Sequence, residues 1–157
     1  EETFGQEWKQ NIFTGNAFWR YRLTHSVTFT LSGAWQSVVS GDDLTTSQYF
    51  YLGHTSGVRG YENDVLSAEQ GAYVNAQLDW AFLGPKTSLF AFVDAGRISG
   101  TSAYEQQTLA SIGAGLTWPL WNGAGLTATV GVPLEKDIGD DTHVNTARFD
   151  ISLVATW

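Results

Sequence analysis

The sequence contains no cysteine and no methionine, and only three prolines in 157 residues. Without cysteine there is no disulfide and no thiolate metal site. The compartment stays open, because a chain that never uses cysteine suits an oxidising or a reducing space. Basic residues are few, eight against sixteen acidic ones, for a net charge of -8. No basic patch forms, which argues against a nucleic-acid partner. No apolar run approaches the roughly 18 residues of a membrane helix. No signal peptide is visible, so the chain reads as cytosolic, as mature, or as cut from something longer.

Catalytic chemistry is thin as well. His25, His54 and His143 fall in a turn and in loops, and no nucleophile motif accompanies them. Their scatter offers no metal-ligand spacing. The acidic cluster "EKDIGDD" reads as a solvated loop. No phosphate-binding glycine loop is present. The expectation is a chain that is not an enzyme and takes neither cofactor nor metal.

What is abundant is alternation. Hydrophobic residues make up 43% and aromatics 14%, with seven tryptophans and 17 glycines. Apolar residues recur with period two, the strand signature. One face of the first run reads Phe13, Gly15, Ala17, Trp19, Tyr21, Leu23, and the second reads Val27, Phe29, Leu31, Gly33, Trp35. Later runs repeat the pattern through Ala72–Phe82, Leu89–Ala95, Ala110–Leu120, Leu126–Leu134 and Phe149–Trp157. The expected strands lie near 11–23, 26–37, 72–83, 88–98, 109–120, 125–134 and 147–157, with a long loop at 41–70. No run reads as an amphipathic helix.

A soluble β-sandwich alternates too. Its outer face, however, is normally a quarter or so charged, and charged residues make up 15% of this chain. The opposite face here is Thr, Ser, Gly, Asn and Gln. Trp and Tyr gather near the ends of the apolar stripes, as in the girdles of membrane barrels. Runs of about ten residues suit tilted transmembrane strands. The expected fold is all-β, an antiparallel transmembrane β-barrel.

Loop lengths imply sidedness. The turns "LTHS", "LGPKTS" and "PLWNGAG" are short, while Ser37–Gly71, Ile98–Thr108 and Glu135–Thr146 are long and polar. Short periplasmic turns alternate with long external loops in such barrels. An odd number of strands cannot complete a bacterial single-chain barrel, and an open edge in lipid is forbidden. The reading is therefore the C-terminal part of a larger barrel, or a chain that borrows strands from elsewhere. Glu1 to Gln10 could supply a further partial strand.

The loop carries "TSGVRGYEN", with one of the chain's few arginines at Arg59. Downstream stands an F-x-D-x-G pattern, Phe92, Asp94 and Gly96. By alternation those three face inward. A planar guanidinium can grip a carboxylate with two parallel bonds. Gly57 and Gly60 permit a tight tip.

The stretch "SQYFYLGHTSGVRGYENDVLSAEQGAYV" resembles the inward-folded sixth external loop of two-partner secretion transporters. Their superfamily also contains the outer-membrane assembly factor. Its loop tip carries a VRGY or VRGF tetrad, here Val58, Arg59, Gly60 and Tyr61. "GVPL" at Gly131–Leu134 is similar to their penultimate strand, and the likeness runs from about Ser26 to Trp157. Two departures stand out: Gly57 where members often have Ser, and Gln77 where they often have Glu. Their periplasmic recognition domains have no counterpart here.

The resemblance implies a lumen loop held by Arg59 and Asp94, with Val58, Gly60, Tyr61, Phe92 and Gly96 in support. It implies a C-terminal assembly signal in Phe149, Ile151, Leu153, Ala155 and Trp157, read by the barrel assembly machinery. The implied function is type V secretion: a pore in the outer membrane of a Gram-negative-type bacterium that passes an unfolded cytolysin or adhesin. The resemblance implies a barrel of about sixteen strands, of which this chain supplies about seven; the remaining N-terminal strands and periplasmic domains, and outer-membrane lipid, are further partners. The alternatives are an assembly or insertase barrel of the same superfamily, and a small structural or adhesive barrel.

Overall fold

Period-two alternation becomes one antiparallel sheet. The computed structural model describes residues 11–40, 44–84, 86–100, 107–121, 123–138 and 142–155. Its strands are β1 (Asn11–Arg22), β2 (Val27–Ser40), β3 (Phe50–Leu52), β4 (Leu66–Ala68), β5 (Gln70–Ala81), β6 (Ser88–Ser99), β7 (Gln107–Trp121), β8 (Ala124–Pro133), β9 (Asp137–Ile138), β10 (Thr142–His143) and β11 (Arg148–Ala155). Seven of them form the main sheet in the order β1-β2-β5-β6-β7-β8-β11. The expected segment Glu1–Gln10 and the terminal Trp157 lie outside the described residues.

Register keeps the two faces separate. Leu31 stands opposite Trp19 and Ala76, and Val93 stands opposite Ala76 and Ile112. Val132 continues that row from Ile112, and Val130 pairs with Phe149. A one-residue slip would turn a whole strand inside out, so this row shows that the pairing is in phase across the sheet. On the other face Asp94 lies between Asn75 and Ser111.

The outward row is exposed almost throughout. Trp35, Val74, Trp80, Val93, Ile112, Val130, Phe149, Ile151 and Leu153 all lie open. Soluble monomers seldom expose an apolar patch beyond a few hundred Å². A whole sheet face of this composition is suited to hydrocarbon, not water.

Two sequence expectations need correction. Strand β2 runs to Ser40 rather than 37, because Asn11 and Ile12 of β1 supply Ser40 and Val38 with partners across a register shift. The loop before β5 was expected to be polar. It instead contains the small hairpin β3–β4, and its Leu44, Leu52, Val58, Tyr61, Leu66 and Ala68 are buried. Leu52, Val58, Tyr61, Leu66 and Ala68 pack with Ile98, Leu109 and Ile138 in one cluster. The main apolar core therefore lies between the loop and the inner wall of β6 and β7. The runs "FYL" and "VLSA" signalled that hairpin, but each is too short to register as a strand by periodicity.

Among the described residues β1 and β11 each pair on one side only. Charge on the outward face checks the assignment of that face. Val93→Arg is expected to lower folding stability in vesicles by about 2–4 kcal/mol, the usual effect of a mid-bilayer arginine. Thr129→Arg, on the inner face of β8, is expected to cost far less. Denaturant unfolding of the full-length protein in lipid vesicles measures both, and equal losses would contradict the assignment.

Candidate functional site: the loop tip on the inner wall

The tip is the segment between β3 and β4. Its turn is closed by the Gly53 carbonyl, which accepts the Ser56 and Val58 N–H groups at 3.2 and 2.8 Å. The His54 N–H donates to Glu62 O at 3.0 Å, and the Ser56 hydroxyl to Asp64 Oδ1 at 2.5 Å. These local bonds make the tip a folded unit that docks as a whole.

Arg59 carries the ion pair of that unit. Its Nε donates to Asp94 Oδ2 at 2.8 Å and its Nη2 to Asp94 Oδ1 at 2.9 Å, a two-pronged grip. The Arg59 backbone N–H adds a third bond to Oδ2 at 3.0 Å. Nη1 donates to Gln77 Oε1 at 2.6 Å. The neutral amide oxygen of Gln77 thus fills the place of a second carboxylate. The guanidinium carbon lies 3.7 Å from the centre of the Phe92 ring, a cation–π contact. The Asp94 side chain is fully buried while that of Arg59 is 23% exposed. Water reaches Arg59 from a cavity of about 300 Å³ lined by Arg20, Thr30, Ser32, His54, Tyr73 and Asn75 among others.

Close approach requires missing side chains. A Cβ on Gly96 would lie 2.5 Å from Leu52 Cδ1 and 3.1 Å from Val58 Cγ2. A Cβ on Gly131 would lie 2.7 Å from Gly60 Cα. Gly60 itself has φ +95°, where side chains are strained. The glycine of "GVPL" is thus the seat of the VRGY tip. Gly57, at φ +111°, lies flat against the Tyr73 ring, so any side chain there would strike the ring. The departure from Ser at this position goes together with Tyr73. The Asn75 amide holds the same spot by donating to the Gly57 carbonyl.

Tyr61 is almost fully buried and reaches across to β7 and the loop after β8. Its hydroxyl lies 2.8 Å from Ala110 O and 2.9 Å from Glu135 O, and accepts the Glu135 N–H at 3.2 Å. Arg148 of β11 donates from Nη1 to the Tyr61 carbonyl at 3.0 Å. Strand alternation puts Arg148 and Asp150 on the inner face, opposite Phe149 and Ile151, and no motif in the sequence assigns them a part in the site. Val58 is buried against the wall, as is Phe92. Phe149, Ile151, Leu153 and Ala155 of the expected terminal signal face outward, away from the loop.

Comparison with known proteins bears on what this site belongs to. A family model described as haemolysin secretion/activation protein ShlB/FhaC/HecB matches residues 2–118. The chain belongs to that family. It is a family of two-partner secretion transporters of the outer membrane, and membership implies that location. No curated protein sequence matches the chain. Among solved structures, CdiB from Acinetobacter baumannii is similar at TM-score 0.75 and 21% identity, over 94% of this chain and 28% of CdiB. That likeness shows the fold: a seven-stranded antiparallel sheet that matches part of the CdiB barrel.

His54 sits in the loop, outside the spanning strands, with Nδ1 3.5 Å from Asp150 Oδ2. Burial pushes its pKa down from 6.5. Asp150 and Asp94 oppose that shift, while Arg148 and Arg59 add to it. A histidine whose folded pKa is depressed stabilises fully above its unfolded value and loses that contribution as pH falls through the folded one. Amide exchange at the tip is therefore expected to accelerate, relative to the strands, as the pH is taken below 6.5. His54→Gln is expected to flatten that profile, and an unchanged profile would remove His54 from the account.

Proposed function

We propose that this chain is the C-terminal, loop-bearing part of an outer-membrane pore that passes an unfolded secreted protein, of the cytolysin or adhesin type, out of a Gram-negative-type cell. One observation carries the reading: the VRGY tip lies on the inner wall, where it would occupy a translocation path, and is held there by Arg59 on a fully buried Asp94. The inner wall offers Thr28, Thr30, Ser32, Asn75 and Gln77 along β2 and β5, a mostly neutral polar track that ends at Asp79 and suits a sliding backbone. The reading gives the chain no catalytic chemistry. Export would draw on folding of the cargo outside. Phe149, Ile151, Leu153, Ala155 and Trp157 would serve as the terminal signal for the barrel assembly machinery.

The loop lock is testable in the full-length transporter. Arg59→Ala and Asp94→Ala are each expected to reduce secretion of the partner protein about tenfold or more, as loss of charged hydrogen bonds worth roughly 1.5–3 kcal/mol implies. The double substitution is expected to be little worse than either single one, because both remove the same contact. Arg59→Lys should restore only part, since a point charge cannot make the two-pronged grip. Additive losses, or full secretion by Asp94→Ala, would refute the lock.

A further inference from the structure

Asp94 is not the tip's only charged anchor. Across the inner wall, on β11, Arg148 and Asp150 form a second group. Arg148 Nε is held by both Asp150 oxygens, at 2.9 and 3.1 Å. The guanidinium is thereby turned so that Nη1 reaches the Tyr61 carbonyl at 3.0 Å. His54 Nδ1 of the loop lies 3.5 Å from Oδ2 of the same carboxylate. Beside them Gly60 is seated on Gly131 of β8 with no room for a side chain.

A pair two residues apart on one strand could be a solvated surface pair, and such pairs contribute little. Three features separate this one from that case. Both side chains are only about a quarter exposed, at 28% and 26%. The spare donor of the arginine goes to the backbone of another segment, at a residue that is nearly fully buried. The guanidinium holds Asp150 through Nε and the Tyr61 carbonyl through Nη1, two donors fixed in one plane, whereas a lysine ammonium is a single point without that fixed spacing.

We infer that Arg148, splinted by Asp150, is a second latch that ties the VRGY tip to β11, the strand at the open edge of the described sheet. The inference rests on the reading of the loop as a pore-occupying element. Strands β7 and β8 stand between the two latches, a separation of roughly 14 Å at the usual strand spacing. The tip therefore spans the wall from β6 to β11 and bridges four neighbouring strands. Release at Asp94 alone would leave the tip pivoting on β11. Movement of β11 would pull on the loop even with the Asp94 contact intact. Arg148 and Asp150 are positioning residues in this scheme and touch no cargo.

The test uses the full-length transporter in detergent or vesicles, with hydrogen exchange at residues 59–62 read against exchange in β5, β6 and β7. Arg148→Ala and Asp150→Asn are each expected to speed exchange at the tip roughly tenfold, while the strand amides stay protected. The combined substitution should add nothing further. Arg148→Lys should recover part, through a single bond to the Tyr61 carbonyl. An unchanged tip in Arg148→Ala overturns the latch. So does a rise shared equally by tip and strands, which is the mark of a merely structural pair. Asp150→Asn keeps the side-chain shape and guards against a variant that fails to fold. Faster tip exchange with normal secretion would uphold the latch and instead refute the role of the loop in export.

Discussion

Asp94 is a carboxylate with no access to solvent. An ionised group in such a place is costly unless it is paired and hydrogen-bonded. Its strand neighbours Asn75 and Ser111 do not carry charge, so the partner must come from elsewhere in the chain. Arg59 supplies it, with two side-chain bonds and one from its own backbone. The backbone bond matters as much as the side-chain ones, because it brings the main chain of the tip against the wall. Much else follows from that approach. Gly96 leaves space for Leu52 and Val58, and Gly131 for Gly60. The Tyr61 hydroxyl lies among backbone groups of β7 and of the segment after β8.

The two faces of the sheet were legible because strand parity is local information. Ala76, Val93 and Ile112 share a face by counting, and the register joins them without any tertiary knowledge. Arg59 and Asp94 were legible through the paired motifs, which suggested a contact 35 positions apart in sequence. The rest of the site was not legible, for a physical reason. Parity tells which face a side chain takes but not what a loop will bring to it. Arg148 and Asp150 looked like ordinary lumen residues until Tyr61, 87 positions from Arg148, was laid beside them. The loop misled in the opposite direction. Its apolar residues are spread among Gly, Ser, Thr and Asp, so its average reads as polar while its buried side chains form the core.

That core changes what the ion pair is for. Burying an aliphatic side chain contributes about 1.5–3 kcal/mol. Leu52, Val58 and Leu66 together therefore hold the hairpin with roughly 5–9 kcal/mol. The Arg59–Asp94 contact, whose loss as a whole is worth roughly 1.5–3 kcal/mol because Arg59 is partly hydrated, is not the larger share. Its contribution is positional. Apolar packing tolerates sliding, whereas a two-pronged grip at 2.8 and 2.9 Å fixes one register of tip against wall.

The same magnitudes limit how such a loop can move. Complete withdrawal would expose the hairpin's apolar residues as well as Asp94, and those losses exceed what a single broken ion pair could provoke. A tip that tilts while β3 and β4 stay packed gives up its polar contacts and the seats of Val58 and Tyr61 but keeps Leu52, Leu66 and Ala68 buried, and water entering from the cavity beside Arg59 can replace the polar contacts in part. Anchors on two separate strands of the wall suit that kind of motion, since one can open while the other holds. The constraint applies to any chain that passes through this space. It must either displace the tip from Asp94 while the apolar hairpin remains in place, or bring enough apolar surface of its own to cover Leu52, Val58 and Leu66 when the hairpin leaves.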